Sequence, residues 1–216
     1  MTKALEIWAP QNAILKKMRD GVRDWDREVF LSMLDPNPEA QMLDVGCSIG
    51  DFTLEIAKRL GTSKVFGLDV KDYSPKGISF KVADLNEGLP YDGSSFDVIT
   101  VSQVIEHLQD TERFLGEVYR VLKPGGYVVI STPNLAAWHN VMCLVLGKQP
   151  PVAALDKDHT RLLTVEGLLN LLHQRGLEVQ KVVGVGWYPL PRPLAQILCL
   201  IDKGHVADVI VRAKRC

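Results

Sequence analysis

The sequence has few cysteines, and none of them stands in a metal-binding or disulfide-forming pattern. The four cysteines, Cys47, Cys143, Cys199 and Cys216, are far apart and include no CxxC pair. Zinc sites and disulfide frameworks usually have short, regular cysteine spacings. The sequence therefore favours a reducing compartment, and we expect a cytoplasmic protein.

An excess of charge of either sign is also missing. Lysine and arginine number 25 and aspartate and glutamate 26, which gives a formal net charge of −1. A chain without an overall positive field has no general attraction for nucleic acid. We expect no nucleic-acid partner.

Long apolar runs are lacking as well. The most apolar stretches, residues 135–146 and 187–201, contain histidine or proline. They are shorter than the roughly 18–20 apolar residues that a membrane-spanning helix needs. Residues 1–10 do not have the basic segment followed by an apolar one that is typical of a signal peptide. We expect neither a transmembrane helix nor a signal peptide.

An amphipathic pattern is present near the N-terminus. Between residues 12 and 34 apolar side chains recur at every third or fourth position. This spacing predicts a helix, with a break at Gly21 as an option. The Asp-Pro-Asn-Pro segment, residues 35–38, ends the helix because proline lacks an amide donor. Residues 1–38 are therefore predicted to form a helical cap on a single domain that spans residues 1–216.

After residue 38, short apolar runs alternate with helical stretches, which predicts an α/β fold with a mostly parallel sheet and helices on both faces. Only residues 71–77 separate the second and third predicted strands, and a parallel crossover usually needs a dozen residues or more. We expect a shortened or missing helix there and a more open pocket edge. The predicted strands are 41–45, 64–68, 78–82, 97–101, 127–131, 177–185 and 206–212, and the predicted helices are 51–60, 111–122 and 164–175.

A glycine-containing turn follows the first predicted strand. Asp44 ends the strand, and Gly46 and Gly50 stand four residues apart before a helix, in a G-x-S-x-G pattern. Glycine permits a tight turn and a close approach of the backbone to a ligand. Dinucleotide-binding turns read G-x-G-x-x-G instead, and an acidic residue would repel a pyrophosphate. The turn therefore favours a cationic ligand, unless the glycines only shape the connection.

Two further acids follow the next two predicted strands. Asp69 is placed to accept hydrogen bonds from both hydroxyls of a ribose, although it could also be a solvated acid at a strand end. Asp84, with Leu85 beside it, suits the amino group and the face of an adenine. With Asp44, these acids are expected at one edge of the sheet, where open α/β sheets bind ligands.

Together with three later blocks, these residues resemble the class I S-adenosylmethionine-dependent methyltransferases. The resemblance is closest to small-molecule methyltransferases related to the ubiquinone-biosynthesis O-methyltransferases, and it covers residues 41–176. The later blocks are LPYDGSSFDVI at 89–99, EHL at 106–108 and RVLKPGGY at 120–127. The resemblance implies a three-layer, Rossmann-like sheet of seven strands, mostly parallel, with an antiparallel last strand.

The resemblance also implies S-adenosylmethionine as the cofactor. Asp44, Gly46 and Gly50 would surround its methionine part, Asp69 its ribose, and Asp84 with Leu85 its adenine. Ser102 and Gln103 would line the cofactor and acceptor sides. The remaining cofactor-binding positions that we expect are Cys47, Ser48 and Val70.

The chain departs from the family pattern at two positions. Ser48 stands where the family usually has a middle glycine. Some quinone-pathway relatives hold a metal with two acids and a histidine after the fourth strand. Here Gln103 replaces the first acid and leaves only Glu106 and His107, so we expect no metal.

Two histidines are the candidate catalytic residues. His107 lies just after the fourth predicted strand and could take a proton from a hydroxyl or a protonated amine, although a histidine that stabilises the following turn is an equal alternative. His159, in the segment 157–161, is a candidate for facing the acceptor.

The N-terminal helix and two segments that are added to the shared core are expected to select the acceptor. Residues 133–160 and 186–205 carry apolar side chains at helical spacing. They could form a lid over a lipid-like or aromatic acceptor or rest on a membrane surface; ordinary packing or a dimer interface are the alternatives.

The predicted function is methyl transfer to a small-molecule, lipid or glycan-intermediate acceptor, by a monomer or a homodimer. The alternative is a catalytically inactive S-adenosylmethionine-binding regulatory or interaction protein.

Overall fold

The protein is an α/β structure built around one seven-stranded sheet. The computed structural model describes residues 13–154 and 159–216. Its helices are α1 (Ala13–Ser32), α2 (Asp51–Leu60), α3 (Thr111–Val121), α4 (Trp138–Val145), α5 (Pro151–Ala154), α6 (Val165–Gln174) and α7 (Arg192–Ile201), with one 3₁₀ turn, Ile105–His107. Its strands are β1 (Met42–Val45), β2 (Val65–Asp69), β3 (Ser79–Val82), β4 (Phe96–Ser102), β5 (Leu122–Pro133), β6 (Leu177–Val185) and β7 (Asp208–Arg215).

The sheet has the strand order β3-β2-β1-β4-β5-β7-β6. Neighbours among β1 to β5 are parallel. The last strand, β7, lies between β5 and β6 and is antiparallel to both. The predicted Rossmann-like fold with an antiparallel last strand is confirmed.

The central strands are apolar because helices cover both of their faces. All four residues of β1 are buried, and so are five of the seven residues of β4. In contrast, the edge strand β3 has no buried residue. The hydrophobic core therefore lies against β1, β4 and β5, and the sheet becomes less buried toward the edge strand β3.

Helix α1 is continuous through Gly21, so the predicted break is wrong. A glycine inside a helix costs only about 1 kcal/mol relative to alanine. The following turns bury Trp25, Phe30 and Met33 against the core, which outweighs that cost. Residues 1–12 of the predicted cap lie outside the described residues.

The connection from β2 to β3 contains no helix, as predicted. Pro75 and Ile78 in and after this loop pack over the start of α2: a Cβ on Gly50 would lie 2.9 Å from Pro75 Cβ and 2.6 Å from Ile78 Cδ1. Val70 and Tyr73 are exposed. The loop between β2 and β3 thus packs against the glycine turn, while the end of β2 remains accessible to solvent.

Within the described residues, no helix is long and apolar enough to cross a membrane.

Candidate active site

Most of the predicted site residues lie at one edge of the sheet. The parallel strands β1, β2, β4 and β5 end at this edge, and β6 ends and β7 begins there because β7 runs antiparallel. Asp44, Asp69, Ser102 and Asp208 are therefore brought to one side of the molecule, although they are up to 164 positions apart in the chain.

The glycine turn after β1 has positive φ angles, a backbone conformation that residues other than glycine rarely adopt. Gly46 has φ 76° and Gly50 has φ 88°, and Ser48 between them has φ 49°. Ser48 therefore adopts the left-handed conformation that glycine favours, at an energetic cost that is common at functional sites. A Cβ on Gly46 would lie only 2.3 Å from Val104 Cγ2, so this turn admits no larger residue there.

Asp44 lies buried beneath the turn. Its Oδ2 accepts a hydrogen bond from Thr53 Oγ1 at 2.5 Å, and its Oδ1 accepts one from Thr100 Oγ1 at 2.6 Å. Burial raises the pKa of Asp44 to about 6, against the opposing effect of the two hydroxyl groups. Asp44 thus places a buried carboxyl group under the turn, and neither threonine was anticipated from the sequence.

Asp69 and Asp84 fix the backbone of the neighbouring connections. Asp69 accepts hydrogen bonds from the backbone N–H of Ser48 at 2.9 Å and of Lys71 at 3.2 Å. Asp84 is exposed and accepts from the backbone N–H of Asn86 at 2.9 Å. Leu85, in contrast, is buried in the core cluster. Asp69 and Ser48 are therefore coupled, which the sequence pattern did not indicate.

Ser102 and Gln103, at and just after the end of β4, contact residues of β5 and β7. Ser102 Oγ lies 3.3 Å from Ser131 Oγ. Gln103, at φ 55°, directs its Nε2 to Ser131 Oγ at 3.4 Å and to Asp208 Oδ1 at 3.5 Å. Gln103 therefore links the end of β4 to β5 and β7.

Three carboxyl groups are buried around this point. Burial is the main cause that raises the pKa of Asp26, of Glu106 and of Asp208, and the proximity of the groups raises the pKa of Asp26 and Glu106 further. Asp26 belongs to α1, and its Oδ1 has no hydrogen-bond partner among the described residues. Glu106 Oε2 accepts from Thr132 Oγ1 at 3.0 Å. The helical cap thus contributes an acid to the same edge, which the sequence analysis missed.

The structure brings the two candidate histidines together. The ring centroids of His107 and His159 are 4.9 Å apart. One ligand atom from each ring and one from the Glu106 carboxylate lie within 4.8 Å of one another. His159 Nδ1 lies 2.8 Å from the carbonyl oxygen of Val152. The backbone N–H groups of Thr160 and Arg161 donate to the carbonyl oxygen of Glu106 at 2.9 and 3.0 Å.

Two imidazoles and a carboxylate are a donor set that could hold a divalent metal ion. The sequence predicted no metal because Gln103 replaces an acid, but it did not anticipate that His159 would join Glu106 and His107. Their 52-residue separation in the chain hides this contact from any local pattern. The expectation that the site holds no metal stays a prediction.

Aromatic side chains from the two predicted lid segments pack together beside this cluster. The rings of Trp138 and Trp187 are stacked at 6.3 Å with an interplanar angle of 9°. His139 contacts Tyr188 with a centroid distance of 5.4 Å, and burial lowers the pKa of His139 to about 4. The backbone N–H of Trp138 donates to the carbonyl oxygen of His205 at 3.0 Å. Segments 133–154 and 186–205 therefore form one unit, while residues 155–158 lie outside the described part of the chain.

A surface pocket of about 540 Å³ lies elsewhere, between the loop 89–92 and the side chains of Phe66, Lys81 and Phe96. None of the predicted site residues lines it. Because the buried acids, the histidines and the strained turn are all at the strand ends, we place the site there rather than in this pocket.

Comparison with known proteins shows the family of the chain. The methyltransferase domain family matches residues 16–182. The chain belongs to this family. A ubiquinone biosynthesis O-methyltransferase, mitochondrial, from Rattus norvegicus is 33% identical over 165 residues, which are 69% of this chain and 47% of that protein. A probable S-adenosylmethionine-dependent methyltransferase from Mycolicibacterium smegmatis is 34% identical over 153 residues, 67% of this chain and 54% of that protein.

The crystal structure of an S-adenosylmethionine-dependent methyltransferase from Mesorhizobium loti has the same fold, with a TM-score of 0.65 at 22% identity; the match covers 87% of this chain and 96% of that one. The chain spans about half the length of the curated relatives it matches. The predicted family, the predicted methyltransferase class and S-adenosylmethionine as the cofactor are confirmed.

The strand-end edge of this methyltransferase fits that cofactor. The carboxyl groups of Asp44 and Asp69 at this edge suit a ligand that carries a sulfonium cation, whereas the side chains of Val104, Pro75 and Ile78 already pack against Gly46 and Gly50. All the individual cofactor contacts stay predictions: those of Asp44, Gly46, Cys47, Ser48, Gly50, Asp69, Val70, Asp84, Leu85, Ser102 and Gln103. Val70 is exposed and can meet a ligand, whereas Leu85 is buried and would need to shift to do so.

Proposed function

We propose that this methyltransferase transfers the methyl group of S-adenosylmethionine to a hydroxyl oxygen of a small, largely apolar acceptor. The observation that carries the proposal is the pairing of His107 and His159 beside Glu106. A hydroxyl acceptor must lose its proton during transfer, and an imidazole nitrogen is the most common proton acceptor in enzyme active sites. The name of the Rattus norvegicus relative supports an oxygen acceptor, and its ubiquinone-related role supports an apolar one.

In the proposed mechanism the bound cofactor would supply an electrophilic methyl group, whose bond to the sulfonium sulfur would break as the bond to the acceptor oxygen forms, so that the sulfur leaves as a neutral thioether. The glycine turn and Asp69 hold the cofactor through backbone and carboxylate contacts, and the buried Asp44 carboxyl group favours its positive charge. Such alignment of reactants contributes roughly 7–11 kcal/mol to lowering a barrier. The protein's main task is therefore positioning and the exclusion of water.

In this proposal an imidazole nitrogen of His107 takes the acceptor proton. His159 lies beside it and is fixed by the backbone bonds that join Thr160 and Arg161 to Glu106. The Glu106 carboxylate stabilises the imidazolium that forms, since opposite charges favour one another at short range. The segments 133–154 and 186–205, with the described part of the cap, would then enclose the acceptor.

Isotopically labelled S-adenosylmethionine offered with a panel of phenols, alcohols, amines and thiols tests the proposal. We expect labelled product from an oxygen nucleophile. His107→Ala is expected to lower turnover by roughly 10²–10⁴-fold with little change in cofactor affinity. His173→Ala is the matched control, because His173 is exposed on α6 and outside the site. Full turnover in His107→Ala, or transfer to nitrogen or sulfur only, would contradict the proposal.

A divalent ion held by Glu106, His107 and His159 would change the role of His107 from base to ligand. Treatment with a chelator separates the two cases. We expect turnover to persist after chelation. Loss of turnover that added zinc or magnesium restores would make the metal part of the site and remove His107 as the base.

No finding supports a catalytically inactive protein. The cytoplasmic location and the choice between monomer and homodimer stay predictions.

A further inference from the structure

One acidic side chain of α1 is buried at the sheet edge without a hydrogen bond. Asp26 is only 7% exposed, and its Oδ1 has no hydrogen-bond partner among the described residues. The ion pairs that α1 forms there join Arg27 to Glu55 and Glu28 to Arg192, and neither includes Asp26. Buried carboxyl groups in folded proteins are normally paired or hydrogen-bonded. An unpartnered one beside the site therefore points to a group of a ligand as its partner.

The packing of α1 against the sheet brings Asp26 close to Asp208. A Cβ on Gly186 would lie 3.3 Å from Val22 Cγ1 on α1 and 3.0 Å from Ala207 Cβ, and Ala207 directly precedes Asp208. Asp26 follows Val22 by four residues, so both lie on the same face of the helix. The charges of Asp208 and Glu106 raise the pKa of Asp26 further, an effect that requires short distances. We use the name acidic corner for Asp26, Glu106 and Asp208.

The acidic corner contains more negative charge than its neighbours compensate. Asp208 accepts one long hydrogen bond, from Gln103 Nε2 at 3.5 Å. Arg23 lowers the pKa of Asp208, and His107 lowers that of Glu106, but in both acids the effect of burial is larger. Arg23 is itself exposed to solvent. Buried acids with so little compensation favour a ligand that carries a positive charge.

The spacing of the acidic corner suits an organic cation better than a metal ion. Within residues 13–154 and 159–216, the compact group of potential metal ligands is Glu106, His107 and His159, and it includes neither Asp26 nor Asp208. Oxygen ligands of Mg²⁺ and Ca²⁺ must converge on a point about 2.0–2.6 Å away. An ammonium group instead donates up to three hydrogen bonds in diverging directions, and these are strong when the acceptor is a carboxylate.

We propose that the acidic corner binds a protonated amine of the acceptor, which is then a small amino alcohol or aminophenol with an apolar body. This inference rests on the proposed function, because it names the class of the hydroxyl-bearing acceptor. A protonated amine has no lone pair with which to attack a methyl group. Binding it in that form therefore leaves the hydroxyl oxygen of the same molecule as the nucleophile. Through Asp26, the helical cap takes part in selecting the acceptor.

Calorimetric titration of the full chain, saturated with S-adenosylhomocysteine, tests the inference with three matched pairs of probes. The pairs are tyramine and tyrosol, benzylamine and benzyl alcohol, and hexylamine and hexanol, in which a hydroxyl group replaces the ammonium group. We expect the amine of at least one pair to bind about tenfold or more tightly than its alcohol. Asp26→Asn should abolish this preference, because the amide keeps the shape and loses the charge. Asp24→Asn is the matched control, because Asp24 lies on the same helix and is exposed.

Asp208→Asn is a second variant and should reduce the same preference, and the affinity of each variant for S-adenosylhomocysteine reports its folding. The inference is overturned if no pair shows a preference for the amine, or if the preference survives in both Asp26→Asn and Asp208→Asn. Methylation of tyrosol as efficient as that of tyramine would overturn the inference and leave the proposed function intact. Preferential binding of amines without methylation of any hydroxyl group would contradict the proposed function but not the cation site.

Discussion

At the scale of single residues, the turn after β1 shows how contacts decide what a position tolerates. Gly46 and Gly125 have nearly the same backbone, with φ of 76° and 80°. A Cβ on Gly46 would meet Val104, whereas a Cβ on Gly125 would have no heavy atom within 4 Å. The sequence indicated that Gly46 allows a turn, but the crowding comes from a residue 58 positions away.

Gly46→Ala is expected to destabilise the protein by roughly 2–4 kcal/mol, because a clash adds to the cost of a left-handed backbone. Gly125→Ala should lower the free energy of unfolding by only about 1–2 kcal/mol, since only the left-handed backbone opposes the substitution there. Urea unfolding of both variants measures the difference. Equal losses would mean that Val104 moves aside without cost.

A second prediction concerns Asp44 and pH. The pKa of Asp44 is raised to about 6, whereas an unfolded aspartate has a pKa of about 3.9. Between these values the folded state binds more protons, so the free energy of unfolding falls as pH rises from about 4 to about 6 and stays lower above that. Asp44→Asn should remove this dependence, a change of about 2–3 kcal/mol at most.

Chemical unfolding of wild type and Asp44→Asn across that pH window measures the effect. The stability advantage of wild type over the variant should shrink as pH rises. The same variant should bind S-adenosylmethionine about tenfold or more weakly at neutral pH, because the carboxylate that favours the cation is gone. A variant with unchanged affinity would show that Asp44 acts only in the fold.

At the scale of elements, a helix or strand could be predicted from the sequence when the residues that determine it lie close together in the chain. Helix α2 has the bounds predicted from its apolar spacing, and Gly61 at φ 79° ends it. The uninterrupted α1 could not be predicted, because burial of Trp25 and Phe30 against distant strands decides it. The helical spacing of α4 and α7 was visible in the sequence, but their exposure was not, since spacing does not say which face meets the core.

Helix α6 offers an element-scale test. The Thr164 side chain accepts a hydrogen bond from the backbone N–H of Gly167 at 3.0 Å, so Thr164 is the N-cap of this helix. Thr164→Ala should lower the free energy of unfolding by about 1 kcal/mol and leave cofactor affinity unchanged. Thr164→Ser keeps the acceptor oxygen and should lose little. Thermal unfolding compares the three proteins, and equal midpoints would exclude a capping role.

At the scale of the whole molecule, the site is a product of topology. The succession of strands and helices along the chain and the glycine turn could be predicted from local patterns, as could the acids at or after the ends of β1, β2 and β3. The convergence of Asp26, Glu106 and Asp208, and of His107 with His159, could not, because it requires the cap, β7 and the segment after α5 to meet at one edge. Residues that are scattered in the chain and close in space carry no local signal.

Cofactor binding should stabilise the whole domain. At a concentration of S-adenosylmethionine about 100 times its Kd, the free energy of unfolding should rise by about 2.7 kcal/mol, which raises the melting temperature by several degrees. NAD should give no shift, since the turn lacks the dinucleotide pattern. A shift with NAD alone would overturn the cofactor assignment.

The position of β7 bears on how the chain acquires its structure during synthesis. The strand is last in sequence order yet lies between β5 and β6, pairing with residues of both. A nascent chain can form the β1 to β5 portion early, but β6 has no place in the sheet until residues 208–215 have left the ribosome. Until then β5 has an unpaired edge, and unpaired edges invite association with other chains. A chain that stops shortly before β7 would therefore lose two strands rather than one, and we expect it to be found among aggregates.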